Sequence, residues 1–311
     1  MSKTKKKILI LGYSSIVRRR VLPALKKIKK LKFEICSKSS RQQYIGESNW
    51  YRDYREALDS SDSEIVYISL PNSKHFKWAK KALLEGFHVI IDKPATTNLK
   101  ETLELIKIAK MKKKFLAEAL VYDYHKQISQ ALKFARKTNS LKSIHANFFI
   151  PAPNKKNIRS IKKLKSYCIY DMLPYAASII RIFCKSKILK INISSKKEFQ
   201  KKFSFISKFR NFFYTGHFCY GEKYQNNLTL FFKDKIIKLD RVFSPPSNQG
   251  INLEIVSRKK SYVIKYKRED VFYNFLKNVL NEIKNKKHIK FLNKLEKDCR
   301  IRETFIKSAK N

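Results

Sequence analysis

The chain has 311 residues, with 70 lysines and arginines against 25 aspartates and glutamates, for a formal net charge of +45. This length favours two domains over one, and a hydrophobic content of 43% is sufficient to fill two cores. Apolar residues occur throughout the chain, which argues against long disordered regions. No apolar run approaches the length that a membrane crossing requires.

The positive charge has two interpretations. It is typical of proteins that bind nucleic acid or another anionic polymer, and it also results from codon drift in an AT-rich genome. The basic residues are scattered from Lys3 to Lys310, without a basic block or an RNA-binding signature. This distribution favours drift, so no specific nucleic-acid partner is expected.

The five cysteines are far apart and form no CxxC pair, which predicts reduced, buried thiols and no metal site. The amino terminus is basic, but the apolar run behind it is too short for a signal peptide. We therefore expect a cytoplasmic protein without membrane association.

The chain opens with a predicted strand and helix joined by a short turn. Lys7–Leu11 reads as a buried strand, and the apolar spacing of Ile16–Lys29 predicts a helix. The turn keeps only the first glycine of a dinucleotide-binding fingerprint, Gly12, with Ser14 and Val17 where the other two would stand. The helix amino terminus still offers N–H groups to a pyrophosphate. The alternative is a βα turn without a ligand.

A second strand is predicted over Lys32–Ser37, where an NAD site usually places an acidic residue that holds the ribose hydroxyls. Here hydroxyl and basic side chains occupy that position: Ser37, Lys38, Ser39, Ser40 and Arg41. These groups suit a 2′-phosphate, so NADP(H) is favoured over NAD(H). The alternative is that they reflect the general abundance of lysine.

The stretch from Glu64 to Asn98 predicts a strand, a helix and a second strand, with no room for a hairpin. This order is typical of a parallel crossover. The two strands stop at Pro71-Asn72 and at Asp92-Lys93-Pro94. Because ligands of open parallel sheets lie outside the carboxyl ends of the strands, both positions are functional candidates.

The domain organisation follows from a change of period along the chain. A βα pattern, which includes a helix predicted over Trp50–Leu58, ends near residue 120. Beyond it, period-2 runs predict a mostly antiparallel sheet, and two amphipathic helices close the chain. We therefore predict an α/β protein: a doubly wound parallel sheet over residues 1–120, then an α/β domain with an open, mostly antiparallel sheet over residues 121–311.

The segment VYISLPNSKHFKWAKKALLEGFHVIIDKP, followed by a helix and by EALVYDYH, resembles signatures of the Gfo/Idh/MocA oxidoreductases. This is the glucose–fructose oxidoreductase and inositol dehydrogenase family. A weaker match is Asn157-Ile158-Arg159 followed by Asp171-Met172-Leu173-Pro174-Tyr175. Within the family, GYSSIVRRRVLPAL and DMLPYAAS are most similar to the sugar ketoreductase branch, which acts on nucleotide-linked or other sugars.

The resemblance implies a Rossmann domain that binds NAD(P), with the nicotinamide near Lys93, and a second domain that binds substrate. It also implies a homo-oligomer, a dimer or a tetramer. From the residues and the resemblance together, we expect the cofactor to be bound by Gly12, Tyr13, Ser14, Ser15, Ile16, Ser37, Lys38, Ser39, Arg41, Leu70, Pro71, Asn72, His75, Asp92 and Lys93.

The expected catalytic residues are Lys93, Asp171 and Tyr175. Lys93 matches the lysine of the family's Glu-Lys-Pro motif, and an ammonium at a strand end can stabilise a developing alkoxide. Asp171 and Tyr175 are four residues apart, so one helical face can present both, and the phenol can relay a proton. A helix cap and a buried aromatic are the alternative for this pair.

Two further residues, His125 and Arg159, are expected to contact substrate together with Lys93, Asp171 and Tyr175. A structural hydrogen bond is an equally good interpretation of either one. The sequence departs from the family pattern at Asp92, which replaces glutamate, at Ser14 and Val17, and at Lys165-Ser166-Tyr167, which replaces a glycine-rich approach to Asp171.

The function predicted from these features is hydride transfer, with NADP(H) favoured, to or from a sugar or nucleotide-sugar alcohol or ketone. A non-catalytic NAD(P)-binding paralogue that acts as a sensor or scaffold is the first alternative. A binder of nucleic acid or another anionic polymer is the second.

Overall fold

The computed structural model describes residues 6–38, 49–136, 140–154, 157–194 and 196–309. Two residues predicted to bind the cofactor, Ser39 and Arg41, lie outside these ranges. The chain divides into two compact units. The first comprises Met1–Ala119 with Phe272–Glu296, and the second comprises Leu120–Val271 with Lys297–Asn311.

The first unit contains a sheet of six parallel strands in the order β3-β2-β1-β4-β5-β6. Its strands are β1 (Lys7–Leu11), β2 (Lys32–Cys36), β3 (Trp50–Tyr51), β4 (Ile65–Ile68), β5 (His88–Asp92) and β6 (Leu116–Ala119). The strand order reverses between β1 and β4. In sheets of this kind, the ligand lies at the carboxyl ends of the strands where the order reverses.

Helices connect these strands, as parallel pairing requires. They are a π-helical turn (Val17–Val21) that continues into α1 (Leu22–Lys26), then α2 (Tyr54–Ser60), α3 (Asn72–Leu84) and α4 (Leu99–Met111). The Asn98 side chain caps α4 by accepting a hydrogen bond of 2.9 Å from the backbone N–H of Glu101.

The predicted helix over residues 50–58 is wrong at its start. Trp50 and Tyr51 form β3 instead, because their backbone pairs with β2, and the N–H of Ser37 donates to the carbonyl of Tyr51 at 3.0 Å. The Asp53 side chain then accepts hydrogen bonds from the N–H groups of Arg55 and Glu56, so the helix begins only after it.

The second unit contains eight strands in the order β14-β13-β12-β11-β7-β10-β9-β8. Only β7 and β10 pair in parallel; the other neighbours are antiparallel. The strands are β7 (Leu141–Ile150), β8 (Lys190–Ile193), β9 (Lys202–Lys208), β10 (Phe213–Tyr220), β11 (Gln225–Phe232), β12 (Lys235–Asp240), β13 (Ile251–Ser257) and β14 (Ser261–Tyr266). The predicted fold class is therefore confirmed in both sheets.

Two helices of the second unit, α5 (Lys126–Arg136) and α6 (Cys168–Phe183), belong to its core. Most of α6 is buried, and its inner side packs with the aromatic rings of β9 and β10. Phe203 and Phe218 stack with ring centroids 4.9 Å apart. This packing fixes α6, which carries Asp171 and Tyr175, on the sheet.

Two helices end the chain, α7 (Val271–Lys284) and α8 (Ile289–Ser308). The segment Phe272–Glu296 packs with the first unit rather than with the preceding residues. The guanidinium of Arg20 lies 5.1 Å from the ring of Phe272, and the rings of Phe115 and Phe291 lie 4.7 Å apart. The first unit is thus built from two separate pieces of chain, unlike the continuous segment over 1–120 that we predicted.

All five cysteines are among the described residues, and each is buried and free of disulfide bonds. Within the described part of the chain, no helix is both long and apolar enough to cross a membrane. In the same residues, histidine, cysteine, aspartate and glutamate side chains form no group of three or more that could hold a metal ion.

Candidate functional site

The turn after β1 packs directly against the end of β4. Gly12 has a φ of +102°, and a Cβ atom built on it would lie 2.2 Å from the carbonyl oxygen of Ser69. The N–H of Gly12 donates to the carbonyl of Cys36 at 2.8 Å. Only glycine fits here, because both the backbone angle and the space exclude a side chain. The turn therefore keeps the close approach between strands that a dinucleotide site needs.

Ser14, at the position of the second fingerprint glycine, fits this turn. Its Oγ atom lies 2.7 Å from Oγ of Ser69 and accepts a hydrogen bond of 3.2 Å from the N–H of Val17. Ser15 is exposed and Ile16 is half-buried at the start of the helical segment. The serine thus caps the helical turn rather than blocking it.

Tyr13 extends from the same turn towards β3. Its ring packs edge-to-face on Trp50 at 5.2 Å between centroids, and the guanidinium of Arg18 lies 5.5 Å from the Tyr13 ring. Aromatic and guanidinium groups in this arrangement offer flat surfaces next to the glycine turn.

At the end of β2, Ser37 is buried and Lys38 is exposed. The ammonium of Lys38 lies 4.0 Å from a carboxylate oxygen of Asp53 and 5.7 Å from the ring of Tyr54. Hydrogen bonds from the N–H groups of Glu56 and Arg55 lower the pKa of Asp53. Asp53 therefore caps α2, and Lys38 places a positive charge at this strand end.

The ends of β4 and β5 are joined through a buried histidine. One ring nitrogen of His75, Nδ1, lies 2.8 Å from the carbonyl oxygen of Pro94, and Nε2 lies 2.7 Å from that of Leu70. Burial lowers the pKa of His75. Pro71 precedes α3, and Asn72 is its first residue. The ring therefore bridges the two loops that we expect to contact the cofactor.

Asp92 lies within a group of hydroxyls. It accepts a hydrogen bond of 2.5 Å from the phenol of Tyr67 and another from the hydroxyl of Ser69. Burial raises the pKa of Asp92 despite these bonds. Since Ser69 also contacts Ser14, a continuous set of hydrogen bonds connects the glycine turn to the end of β5. Tyr67 and Ser69 are not among the site residues predicted from the sequence, although both lie in the segment that resembles the family.

Lys93 is half-buried and follows Asp92 on a loop that is held from two sides. The carbonyl of Pro94 contacts His75, and the N–H of Ala95 donates to the Glu118 side chain at 2.8 Å. Glu118 is 5% exposed. The loop is therefore well positioned to hold an ammonium at the edge of the sheet where the strand order predicts a ligand.

In the second unit, Asp171 is bound by a cation and a phenol. Its Oδ2 atom accepts hydrogen bonds from Nε of Arg159 at 2.9 Å and from the hydroxyl of Tyr220 at 2.8 Å. The charge of Asp171 raises the pKa of Arg159. Burial, and then Asp171, raise the pKa of Tyr220. Tyr220 is not among the site residues predicted from the sequence, since the period of β10 marks it only as a strand residue.

Tyr175 lies one turn beyond Asp171 on α6 and is half-buried. Its ring contacts those of Tyr122, Phe148 and Phe243, with centroids 5.8, 5.3 and 5.5 Å away. It also lies close enough to Arg159 to contribute to the raised pKa of that residue. The structure thus brings Arg159, Asp171 and Tyr175 together.

His125 has a different set of partners. Its Nε2 atom lies 3.4 Å from the carboxylate of Glu269, and its Nδ1 atom accepts from the N–H of Gln127 at 3.0 Å. Its ring packs on Tyr266 at 5.8 Å. Burial lowers the pKa of His125, while Glu269 opposes that shift. These contacts favour the structural interpretation of His125 and do not join it to Asp171.

A parallel sheet with a glycine turn at the reversal of strand order defines a nucleotide-binding Rossmann domain. Residues 6–120 match a family described as an oxidoreductase family with an NAD-binding Rossmann fold, Gfo/Idh/MocA. This match confirms the predicted resemblance to the Gfo/Idh/MocA family and the NAD(P)-binding character of this part of the chain.

Curated relatives include sugar reductases and dehydrogenases. A dTDP-3,4-didehydro-2,6-dideoxy-alpha-D-glucose 3-reductase from Saccharopolyspora spinosa is 26% identical over 76% of this chain and 75% of its own. A D-xylose 1-dehydrogenase (NADP(+)) from Haloferax volcanii is 28% identical over 56% of each chain. The predicted resemblance to the sugar ketoreductase branch is therefore confirmed.

Solved structures share the fold over nearly the whole chain. A 3-ketoreductase from Actinomadura kijaniata, crystallised with NADP and TDP-benzene, superposes with a TM-score of 0.90. It is 19% identical, and the match covers 97% of both chains. An aldose-aldose oxidoreductase from Caulobacter crescentus gives a TM-score of 0.85 at 18% identity, over 98% of this chain and 97% of that one.

Proposed function

We propose that this protein uses NADP(H) to reduce a keto group, or to oxidise a hydroxyl group, of a free or nucleotide-linked sugar. Two relatives are named for such reactions, a 3-reductase of a dTDP-linked sugar and an NADP(+)-dependent xylose dehydrogenase. The observation that carries the proposal is Lys93, held at the end of β5 on a loop fixed through His75 and Glu118.

The first unit offers backbone donors to a dinucleotide at the turn after β1. Only glycine fits at residue 12, and Ser14 leaves the start of the helical turn well capped. The backbone can therefore approach a pyrophosphate there, with helix N–H groups directed at it. When bound, the nicotinamide would supply or accept the hydride. The residues of the chain would bind and orient the substrate and would transfer the proton.

The proton accompanying hydride transfer is assigned to Lys93 and Tyr175. An ammonium at Lys93 would stabilise the alkoxide oxygen of the substrate. The phenol of Tyr175 would exchange a proton with that oxygen, with Asp171 and Arg159 setting the local charge. Arg159 would also contact substrate, because its side chain is partly exposed beside Asp171.

Replacement of Lys93 with alanine tests this proposal. We expect the rate of NADPH oxidation with a dTDP-linked or free keto sugar to fall by about a hundredfold or more, as loss of an alkoxide-stabilising group requires. Lys100→Ala, which removes an exposed lysine in the first turn of α4, is the matched control. Full turnover in Lys93→Ala would refute the assignment. NADPH binding without turnover on any sugar in the wild type would favour the non-catalytic alternative.

The preference for NADP(H) is proposed from Lys38 and from the residues that follow it. With Asp53 engaged by backbone N–H groups, Lys38 supplies positive charge at the end of β2. We expect Lys38→Ala to weaken NADPH binding about tenfold and to leave NADH binding unchanged. Equal weakening of both cofactors would count against a 2′-phosphate role. Arg41→Ala extends the same test, and Lys107→Ala on α4 is the charge control.

Association into a dimer or tetramer stays a prediction from the family resemblance. Light scattering on the purified protein would measure it directly.

A further inference from the structure

A cavity of about 460 Å³ opens on the second unit at the amino-terminal end of α6. Its polar lining consists of Lys162, Tyr167, Tyr170, Lys196, Lys197 and Gln200. Ile169, Phe199 and Ile306 supply its apolar surface. The lining contains three lysines and no carboxylate, so the cavity is built for an anion with an apolar part.

Backbone hydrogen bonds hold the two sides of this cavity together. The N–H of Cys168 donates to the carbonyl of Gln200 at 3.2 Å, and the N–H of Ile169 donates to that of Phe199 at 3.0 Å. These bonds join the first turn of α6 to the turn that carries Lys196 and Lys197. The lysines and the tyrosines are therefore adjacent because of the fold, although about thirty residues separate them in the chain.

The side chains suit a phosphate joined to a flat ring. Tyr167 and Tyr170 pack edge-to-face with centroids 5.0 Å apart, which presents aromatic surface at the opening. Two acidic residues adjoin the lining in sequence, and both have a basic partner. Glu198 is 3.1 Å from the ammonium of Lys202, and Asp171 accepts a hydrogen bond from Arg159. The cavity is larger than inorganic phosphate needs, and it lies in the size range of small-molecule sites.

The cavity begins one helical turn from Asp171. The N–H of Asp171 donates to the carbonyl of Tyr167 at 3.0 Å, and four residues of helix span about 6 Å along the axis. Lys162 also belongs to the segment after Arg159, whose Nε atom bonds Asp171. A sugar ring at Asp171 and Tyr175 could therefore carry a diphosphate that reaches the lysines.

We propose that this cavity binds a nucleoside diphosphate, with the phosphates at Lys162, Lys196 and Lys197 and the base at Tyr167 and Tyr170. The nucleotide is either the nucleotide half of a nucleotide-linked sugar substrate, which stays attached during hydride transfer, or a separate ligand. The first source rests on the proposed function, whereas the binding site itself does not.

The binding test uses the full-length protein at physiological salt with saturating NADPH, so that the dinucleotide site is closed to competitors. UDP and dTDP are titrated by calorimetry. We expect saturable binding that weakens at least about tenfold in the double variant Lys196→Glu/Lys197→Glu, because two favourable charges become repulsive. The matched control is Lys185→Glu/Lys187→Glu, which changes charge equally at exposed positions outside the cavity.

Nucleotide binding that is absent, or that weakens equally in the control, would overturn the proposal and leave only a non-specific positive field. Tyr167→Leu gives a second measurement, since it removes ring stacking without changing charge, and it should weaken dTDP more than inorganic phosphate. Inhibition of turnover distinguishes the sources. Competition with the sugar substrate identifies the substrate's own nucleotide, whereas inhibition without competition identifies a separate ligand at the same site.

Lys93→Ala separates this inference from the proposed function. It should keep the affinity of the wild type for dTDP while it loses turnover. If Lys93→Ala loses turnover but still binds dTDP, both the proposed function and the nucleotide site are supported. If the wild type binds dTDP but oxidises or reduces no sugar, only the nucleotide site is supported.

Discussion

The two units each present an aspartate near the predicted chemistry, and they hold it in opposite ways. Asp92 is surrounded by the neutral hydroxyls of Tyr67 and Ser69. Asp171 faces the guanidinium of Arg159 and the phenol of Tyr220. Hydroxyls can rotate to donate or accept, whereas a guanidinium only donates and keeps its charge. Asp92 should therefore matter as an acceptor, and Asp171 as a charge.

Between these two aspartates, the larger expected effect is that of Asp171→Asn. The amide keeps the size and one acceptor but removes the charge opposite Arg159, so we expect kcat/KM to fall by about a hundredfold, or ~2.7 kcal/mol. NADPH affinity, measured by fluorescence titration, should be unchanged, since the first unit is untouched. Normal kcat/KM in this variant would show that the charge of Asp171 does not contribute to catalysis.

Asp92→Ala should have the next largest effect, this time on stability. It leaves the buried phenol of Tyr67 without its acceptor, which costs about 2 kcal/mol of unfolding free energy in urea. Asp92→Asn, which retains an acceptor, should cost less than about 1 kcal/mol. Equal losses in both variants would show that the charge of Asp92 matters as well.

The contribution of Asp92 to the free energy of unfolding should depend on pH, and the direction follows from its pKa. Burial raises the pKa of Asp92 above its ordinary value of 3.8, so the folded state binds the proton more tightly than the unfolded state does. The wild type should therefore gain stability relative to Asp92→Asn as the pH falls through the raised pKa, and the gain should be complete below 3.8. Urea unfolding of both proteins across the acid range measures the difference. A constant or shrinking difference would contradict a raised pKa.

Tyr220→Phe should have a smaller effect, about tenfold in kcat/KM, which corresponds to one hydrogen bond of ~1.4 kcal/mol. Its role is to position Asp171, so the loss should appear in kcat more than in cofactor binding. Tyr214→Phe on the same strand is the matched control, because that hydroxyl donates to the carbonyl of Ala176 at 3.3 Å and not to Asp171. Similar kinetics in the two variants would argue for a purely structural hydroxyl.

The smallest effect is expected for Ser14→Ala. It removes the contact with Ser69 and the cap on Val17 but leaves the turn open, so NADPH affinity should fall about threefold. Ser15→Ala, at an exposed neighbour, should leave the affinity unchanged. A loss as large as that expected for Lys38→Ala would mean that Ser14 itself contacts the cofactor.

How much of each cluster the sequence predicts depends on whether its contacts are local or distant in the chain. Asp92 and Lys93 follow a local pattern of strand, helix and strand, and Asp171 and Tyr175 share α6 at a spacing that sequence displays directly. Tyr220 lies 49 residues from Asp171, and its approach depends on the place of β10 within the second sheet. Strand order is set by packing between distant segments, so no local period indicates it. The sequence predicts a helix at Trp50 and Tyr51 for the same reason. Their pairing with β2 is a contact between separate segments, which the local pattern does not show.

The first unit has a further consequence for the order in which the protein can fold. Its parallel sheet is complete at residue 119, but Leu292 and Leu295 are part of the same buried cluster. During synthesis, these leucines emerge long after the strands that they cover. Until then, the nascent sheet exposes apolar surface that is hidden in the finished protein, which is a state that favours aggregation or chaperone binding. Ribosome-bound chains stopped before residue 272 should therefore be more sensitive to proteases than full-length chains.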